Sequence, residues 1–216
     1  MSVATDRRLD VVALVVAGVV DLLAGFVAGV VLEPGSLTAG GDLAGRMSWV
    51  ADNTTRWQAG WTFWFVVTTT FAWAFYALAR NLGGPPQWRA LAIGAALLAA
   101  AVDIVGIVLN LAVLPDLAGG SADTYAAVET LAQALTDITA YGLYTVAGLL
   151  LLPALWATRT YPRLLAWLAL VLWVSSAAAT LLLALDAPAK AGVFAVALLL
   201  YPVWVWGSAW WLVREG

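Results

Sequence analysis

The sequence predicts an all-α integral membrane bundle of six transmembrane helices, forming a single domain over residues 1–216. Three observations lead there. First, 63% of the residues are hydrophobic and only 11% charged, with mean hydropathy +0.92. A soluble domain is about 45–50% apolar and about 25% charged, so this chain lacks the charge to coat a globule in water. Second, a bilayer core of about 30 Å takes about 20 apolar residues in a helix. Six stretches qualify: 11–32, 57–79, 91–114, 137–157, 164–185 and 191–213. Third, the basic residues alternate in place. Arg7, Arg8, Arg80, Arg89, Arg159, Arg163 and Arg214 fall at the termini and the even-to-odd turns, against Arg46, Arg56 and Lys190 in the other connections. That bias predicts cytoplasmic N- and C-termini and a multi-pass protein of the cell membrane. The acids Glu33, Asp42, Asp52, Asp116, Asp123, Glu129 and Asp186 lean to the outer side.

The first stretch follows Arg7 and Arg8 as a signal sequence would. It is too long for a signal h-region, contains Asp21 and lacks a small-x-small cleavage site, so it reads as a retained helix. Asn81-Leu-Gly-Gly-Pro-Pro-Gln87 and Thr160-Tyr-Pro162 are tight turns on the inner side. The outer connections are longer. Residues 33–56 are Gly-rich to Gly45, with a short helix expected around 47–51 and Asp52 or Asn53 capping the second span. In 115–136, Ser121 or Asp123 starts a helix whose apolar positions Tyr125, Val128, Leu131, Leu135 and Ile138 run on into the fourth span. Val20-Asp21, Val102-Asp103 and Ser175-Ser176 recur at like depth in the odd helices, a pattern compatible with a repeat of three hairpins or with composition alone.

Composition excludes much chemistry. Without Cys there are no disulfides, thiolate nucleophiles or thiolate-bound metals, and without His there is no Ser-His-Asp triad or haem ligation. No metal site and no cofactor are expected. The net charge is −3 with no basic run, so nucleic acid is not an expected partner.

What remains is polar chemistry inside the membrane. Asp21 and Asp103 lie at mid-depth in their spans. A carboxylate there costs about 2.5–3.5 kcal/mol on insertion scales, and such residues face the bundle interior and mark function. No Lys or Arg is placed to neutralise them, so each holds a proton, shares one, or faces a cationic ligand. The bland alternative is a hydrogen bond to a backbone carbonyl or a Thr. These two are the candidate catalytic residues. Asn110 follows Asp103 on the same face, two turns nearer the outside. Asp137, Tyr141 and Tyr144 form one stripe, continued by Gly148, which admits a close neighbour. Trp57, Trp61, Trp64 and Thr68 form another, readable as an aromatic wall or as lipid-facing packing. Of thirteen Trp, those near the edges make aromatic belts; Trp64 and Trp173 lie too deep for that. Pro202, after Tyr201, is placed to kink the sixth helix. The candidate substrate-binding set is therefore Trp57, Trp61, Trp64, Thr68, Asn110, Asp137, Tyr141, Tyr144 and Trp173, around a cavity in the outer half with two acids at its floor.

Gly60-Trp61 with Trp64, Ala101-Val-Asp103 followed by Pro115, and Tyr141-Gly-Leu-Tyr-Thr-Val-Ala-Gly148 resemble the DUF4386-like group of six-span bacterial membrane proteins. In that group the last motif more often begins with Asn where this chain has Tyr141, and the third span carries an Arg and a Glu that this chain lacks. The resemblance implies a bacterial six-span protein and no particular activity.

Three functions fit these residues. One is a cofactor-independent enzyme using an Asp as general acid to cyclise or isomerise an isoprenoid-like molecule, with π-faces to stabilise a carbocation. Another is a binder or transporter of a lipophilic or organic-cation ligand. The third is a non-catalytic membrane scaffold. The expected partners are a lipophilic small molecule and membrane lipid; a homo-oligomer is left open.

Overall fold

A computed structural model describes residues 3–37, 42–185, 187 and 190–215. Asp186, used in the reading above, lies outside the described residues. The described chain is helical, with no strand. The helices are α1 (Val3–Phe26), α2 (Leu43–Asp52), α3 (Thr54–Asn81), α4 (Pro86–Val108), α5 (Leu114–Leu117), α6 (Ala122–Gln133), α7 (Tyr141–Ala157), α8 (Arg163–Ala184) and α9 (Lys190–Arg214). Three of them continue into π-helical turns: Val27–Leu32 after α1, Leu109–Val113 after α4, and Ala134–Ala140 joining α6 to α7. Six of the resulting rods are long and apolar enough to cross a membrane. In hydrocarbon every backbone N–H and C=O must be satisfied within the protein, and helices do this locally.

The six rods form a closed ring in sequence order: α1, α3, α4, α7, α8, α9, with α9 packed back on α1. Both termini lie at one end, where the Arg7 guanidinium donates to the Leu212 carbonyl at 2.9 Å. At the same end Arg80 and Asn81 of α3 hold Asp10 of α1, at 3.3 and 2.7 Å. The α3–α4 turn needs a left-handed residue and has one, Gly84 at φ 81°.

Small residues set the packing. Ala92, Ala96 and Ala99 of α4 are buried, as are Ala147 and Ala154 of α7 and Ala166 and Ala169 of α8. Side chains this short let helix backbones approach closely, the main source of association in lipid. Outward faces carry Leu97, Leu98, Val105, Val171, Val174, Leu181 and Leu199, all exposed as lipid contacts require.

The middle of the ring is filled by aromatic rings. Phe71 stacks on Tyr201 at 4.2 Å with planes 7° apart, and Phe75, Tyr144, Trp173 and Trp204 extend the cluster at 5.4–6.3 Å. Beyond it, toward the terminal end, Leu78, Leu82, Leu151 and Leu155 are buried in a continuous apolar core. The bundle is thus sealed toward its termini.

Several expectations shift. The short connecting helix begins at Leu43, not near 47, because Asp42 accepts a 2.6 Å bond from the Gly45 amide and caps it. Neither Asp52 nor Asn53 caps α3 by its side chain; Asn53 instead donates to the Trp49 carbonyl, closing the helix before. Ser121, rather than Asp123, caps α6. Trp211 is not a belt residue but is buried against Tyr161 at 5.0 Å. Gly148 has a specific use: a Cβ there would overlap the Trp173 indole. Gly148→Ala should therefore overpack the centre at about 1–3 kcal/mol. In a detergent melt the midpoint should fall by about 2–4 °C for each kcal/mol.

Candidate functional site

Three backbones open up where the site lies. A π turn admits one extra residue and widens the helix, a distortion that recurs at functional sites. Here it occurs at Val27–Leu32, Leu109–Val113 and Ala134–Ala140, all toward the end of the bundle away from the termini. The last of these carries Thr136 and Asp137 and presses on α4 at Gly106, where a Cβ would meet Thr136 and the Ala132 carbonyl.

Two chambers with a shared wall result. The inner one is a cavity of about 90 Å³. Its wall takes Asp21 and Ala24 from α1, Trp64, Val67, Thr68 and Phe71 from α3, and Asp103 from α4. Thr136 and Asp137 of the π turn, Tyr141 and Tyr144 of α7, and Phe194 and Leu198 of α9 complete it. The aromatic cluster is its floor. The outer one, a vestibule of about 40 Å³, is lined by Gly35, Ser36, Leu37, Trp57, Trp61, Asn110, Glu129 and Gln133, and again by Thr136 and Asp137. Those last two residues are the shared wall.

The inner cavity contains three carboxyl groups and, among the described residues, no Lys or Arg. Asp21 is 3% exposed and its Oδ2 has no hydrogen-bond partner. Asp103 is 5% exposed; the Thr68 hydroxyl donates a short bond to its Oδ2, while Oδ1 is unpartnered. The Thr68 carbonyl in turn accepts from the Tyr144 hydroxyl at 3.3 Å. Asp137, half-buried, accepts from the Thr136 hydroxyl at 3.1 Å. The Tyr201 hydroxyl, also buried, is unpartnered. Pro202 has no N–H to offer the Leu198 carbonyl four residues back, and Leu198 is in the cavity wall. An unsatisfied buried polar atom calls for a water, an ion or a ligand, and two such atoms, on Asp21 and Asp103, belong to the wall of one apolar, aromatic hollow.

The candidate residues divide accordingly. Asp21, Asp103, Trp64, Thr68, Asp137, Tyr141 and Tyr144 come together in the inner cavity. Trp57, Trp61 and Asn110 lie in the vestibule instead. Trp57 is fixed there by donating its indole N–H to the Asn110 carbonyl at 2.6 Å, and Asn110 donates to the Gly106 carbonyl. Trp173 lines neither chamber, because Gly148 lets it sink between α7 and α8 into the floor cluster. Ser175 lines neither chamber; its hydroxyl donates to the Leu172 carbonyl of its own helix. Phe71, Phe194 and Leu198 are wall residues that no polar pattern singled out.

The roof of the vestibule has a feature that sequence reasoning missed. Arg46 of α2 and Glu129 of α6 form a bidentate ion pair, 2.8 Å on both arms, with each residue under 10% exposed. The Glu129 hydrogen bonds raise the Arg46 pKa above its ordinary value, against burial, which works the other way. The two lie 83 residues apart, so no local spacing could reveal them. Compared with protein-family models, with curated proteins and with solved structures, the chain matches none.

Removing one member of a buried pair strands the other charge at about 3–5 kcal/mol. Glu129→Gln should therefore destabilise the cap strongly. The double variant Arg46→Met with Glu129→Leu should melt closer to the unaltered protein, and paired thermal melts check the order.

Proposed function

We propose that this is a multi-pass protein of a bacterial cell membrane, termini in the cytoplasm, which binds a small lipophilic organic cation entering from the outer side. Orientation rests on the seven Arg at the terminal end. The observation that carries the ligand class is the pairing of two deeply buried carboxyls, each with an unpartnered oxygen, in one aromatic cavity with no Lys or Arg among the described residues that line it. An isolated charge in such surroundings is heavily penalised unless paired, and a cationic ligand supplies the pair. Aromatic faces add about 2 kcal/mol or more for a desolvated cation. About 90 Å³ is the share of roughly three waters. That suits a trimethylammonium-sized head, with any longer tail left in the vestibule.

A second reading keeps its own support. Thr68 occupies one Asp103 oxygen and leaves the other free, an arrangement in which a protonated Asp103 serves as a general acid. The proton leaves Oδ1 for an alkene carbon, the π pair forms the new C–H bond, and Tyr and Trp faces stabilise the carbocation. Loss of a proton from a neighbouring carbon back to the carboxylate then gives an isomerised alkene; where a second double bond of the same chain first donates its π pair to the cation, a C–C bond closes and the product is cyclic. The second unpartnered carboxyl favours the first reading, since the acid reading uses only Asp103.

The test uses benzyltrimethylammonium and its neutral isostere neopentylbenzene on protein in lipid nanodiscs. The cation should bind at least about tenfold tighter than the isostere, and Asp103→Asn or Asp21→Asn should each erase about tenfold of that, near 1.4 kcal/mol. Equal binding of both probes overturns the cation reading. If Asp103→Asn abolishes turnover of an isoprenoid alkene while binding persists, the acid reading replaces it. A variant that only melts lower points to a scaffold.

A further inference from the structure

The two chambers are not equivalent in their charges. In the vestibule Glu129 is already satisfied by Arg46, so Asp137 is the one lining carboxyl there, among the described residues, not held by a cation. Asp137 also lines the inner cavity beside Asp103 and Asp21. The facing wall is continuous in the same way. Trp57 and Trp61 line the vestibule, Trp64 lines the cavity, and successive rings meet at 5.7 and 6.1 Å. A cation moving inward from vestibule to cavity would pass along this indole row, with Asp137 lining both chambers. The π turn is what turns Asp137 toward both: its added residue separates the groups of α6 from those of α7.

Resting on the cation-binding reading, we propose that the vestibule is a transit site for a quaternary or protonated ammonium group and that Asp137 hands this group to the inner cavity. A group that stabilises the passage lowers the barrier to entry, and as a lining group of the inner cavity Asp137 also stabilises the bound state. Its loss therefore slows association, which the loss of a floor acid does not. The floor acids act oppositely, since losing a contact of the final site mainly quickens release.

Stopped-flow tryptophan fluorescence with benzyltrimethylammonium, on the full chain in nanodiscs, separates the two. For Asp137→Asn, association should slow by about tenfold, and Asp137→Glu should restore it. For Asp103→Asn, association should hold while dissociation quickens and Kd rises. An unchanged association rate in Asp137→Asn, with or without faster dissociation, overturns the relay while leaving the binding site intact. If Asp137→Asn does not fold, Trp61→Leu carries the same comparison, with the same slowing of association expected. Failure of the unaltered protein to bind the probe overturns the functional reading itself.

Discussion

Charge neutrality in hydrocarbon is the constraint around which this molecule is arranged. Asp21 and Asp103 sit where a carboxylate is most expensive, yet the chain spends its Arg residues elsewhere: at the terminal end, on Asp10, and on Glu129. The fold resolves most of the polar backbone through helices and resolves Asp103 halfway through Thr68. It leaves the rest open toward a hollow. A scaffold built only for stability would gain by replacing these groups with apolar ones, because a half-satisfied polar network is worse than an apolar core. Their retention at the bottom of an aromatic-walled chamber is what points to a ligand.

The aromatic floor gives that chamber a direction. Phe71 on Tyr201, backed by Trp173 in the notch at Gly148, fills the ring at mid-depth with groups that cannot hydrate a passage. Polar access from the terminal end is therefore closed. At the far end the widened π turns and the cap helix α2, tied down by Arg46 and Glu129, shape the approach. Rigid packing below and distorted helices above divide the work between holding the site and reaching it.

Much of this was legible in the sequence, and for a physical reason. Membrane spans announce themselves through hydropathy and length, and a lone acid in such a span stands out against it; Asp21, Asp103, Thr68, Tyr141 and Tyr144 were found this way and share a cavity. Helical spacing also placed Trp57, Trp61 and Trp64 on one face, but it carries no information on depth, so the division between vestibule and inner chamber was hidden. Trp173 was misplaced because its position depends on an absent side chain, that of Gly148, on another helix. The Arg46–Glu129 pair is a tertiary contact between two connections. The π turns leave no composition signal, since they arise where packing against residues such as Gly106 admits an extra residue.

The ring closes in chain order, and that has a consequence for how the protein is made. Every neighbour of α3, α4, α7 and α8 in the ring is also a neighbour in sequence, so those contacts form as each hairpin leaves the insertion machinery. The seam between α1 and α9 is different: Trp206 reaches the Val15 carbonyl and sits against Gly18 across some 190 positions. Until the final helix is delivered, Asp21 has an unfinished wall on the side where Phe194 and Leu198 will stand. The nascent bundle must carry that acid beside lipid until synthesis is nearly over, which makes the arrival of the last segment the step at which the interior becomes an interior.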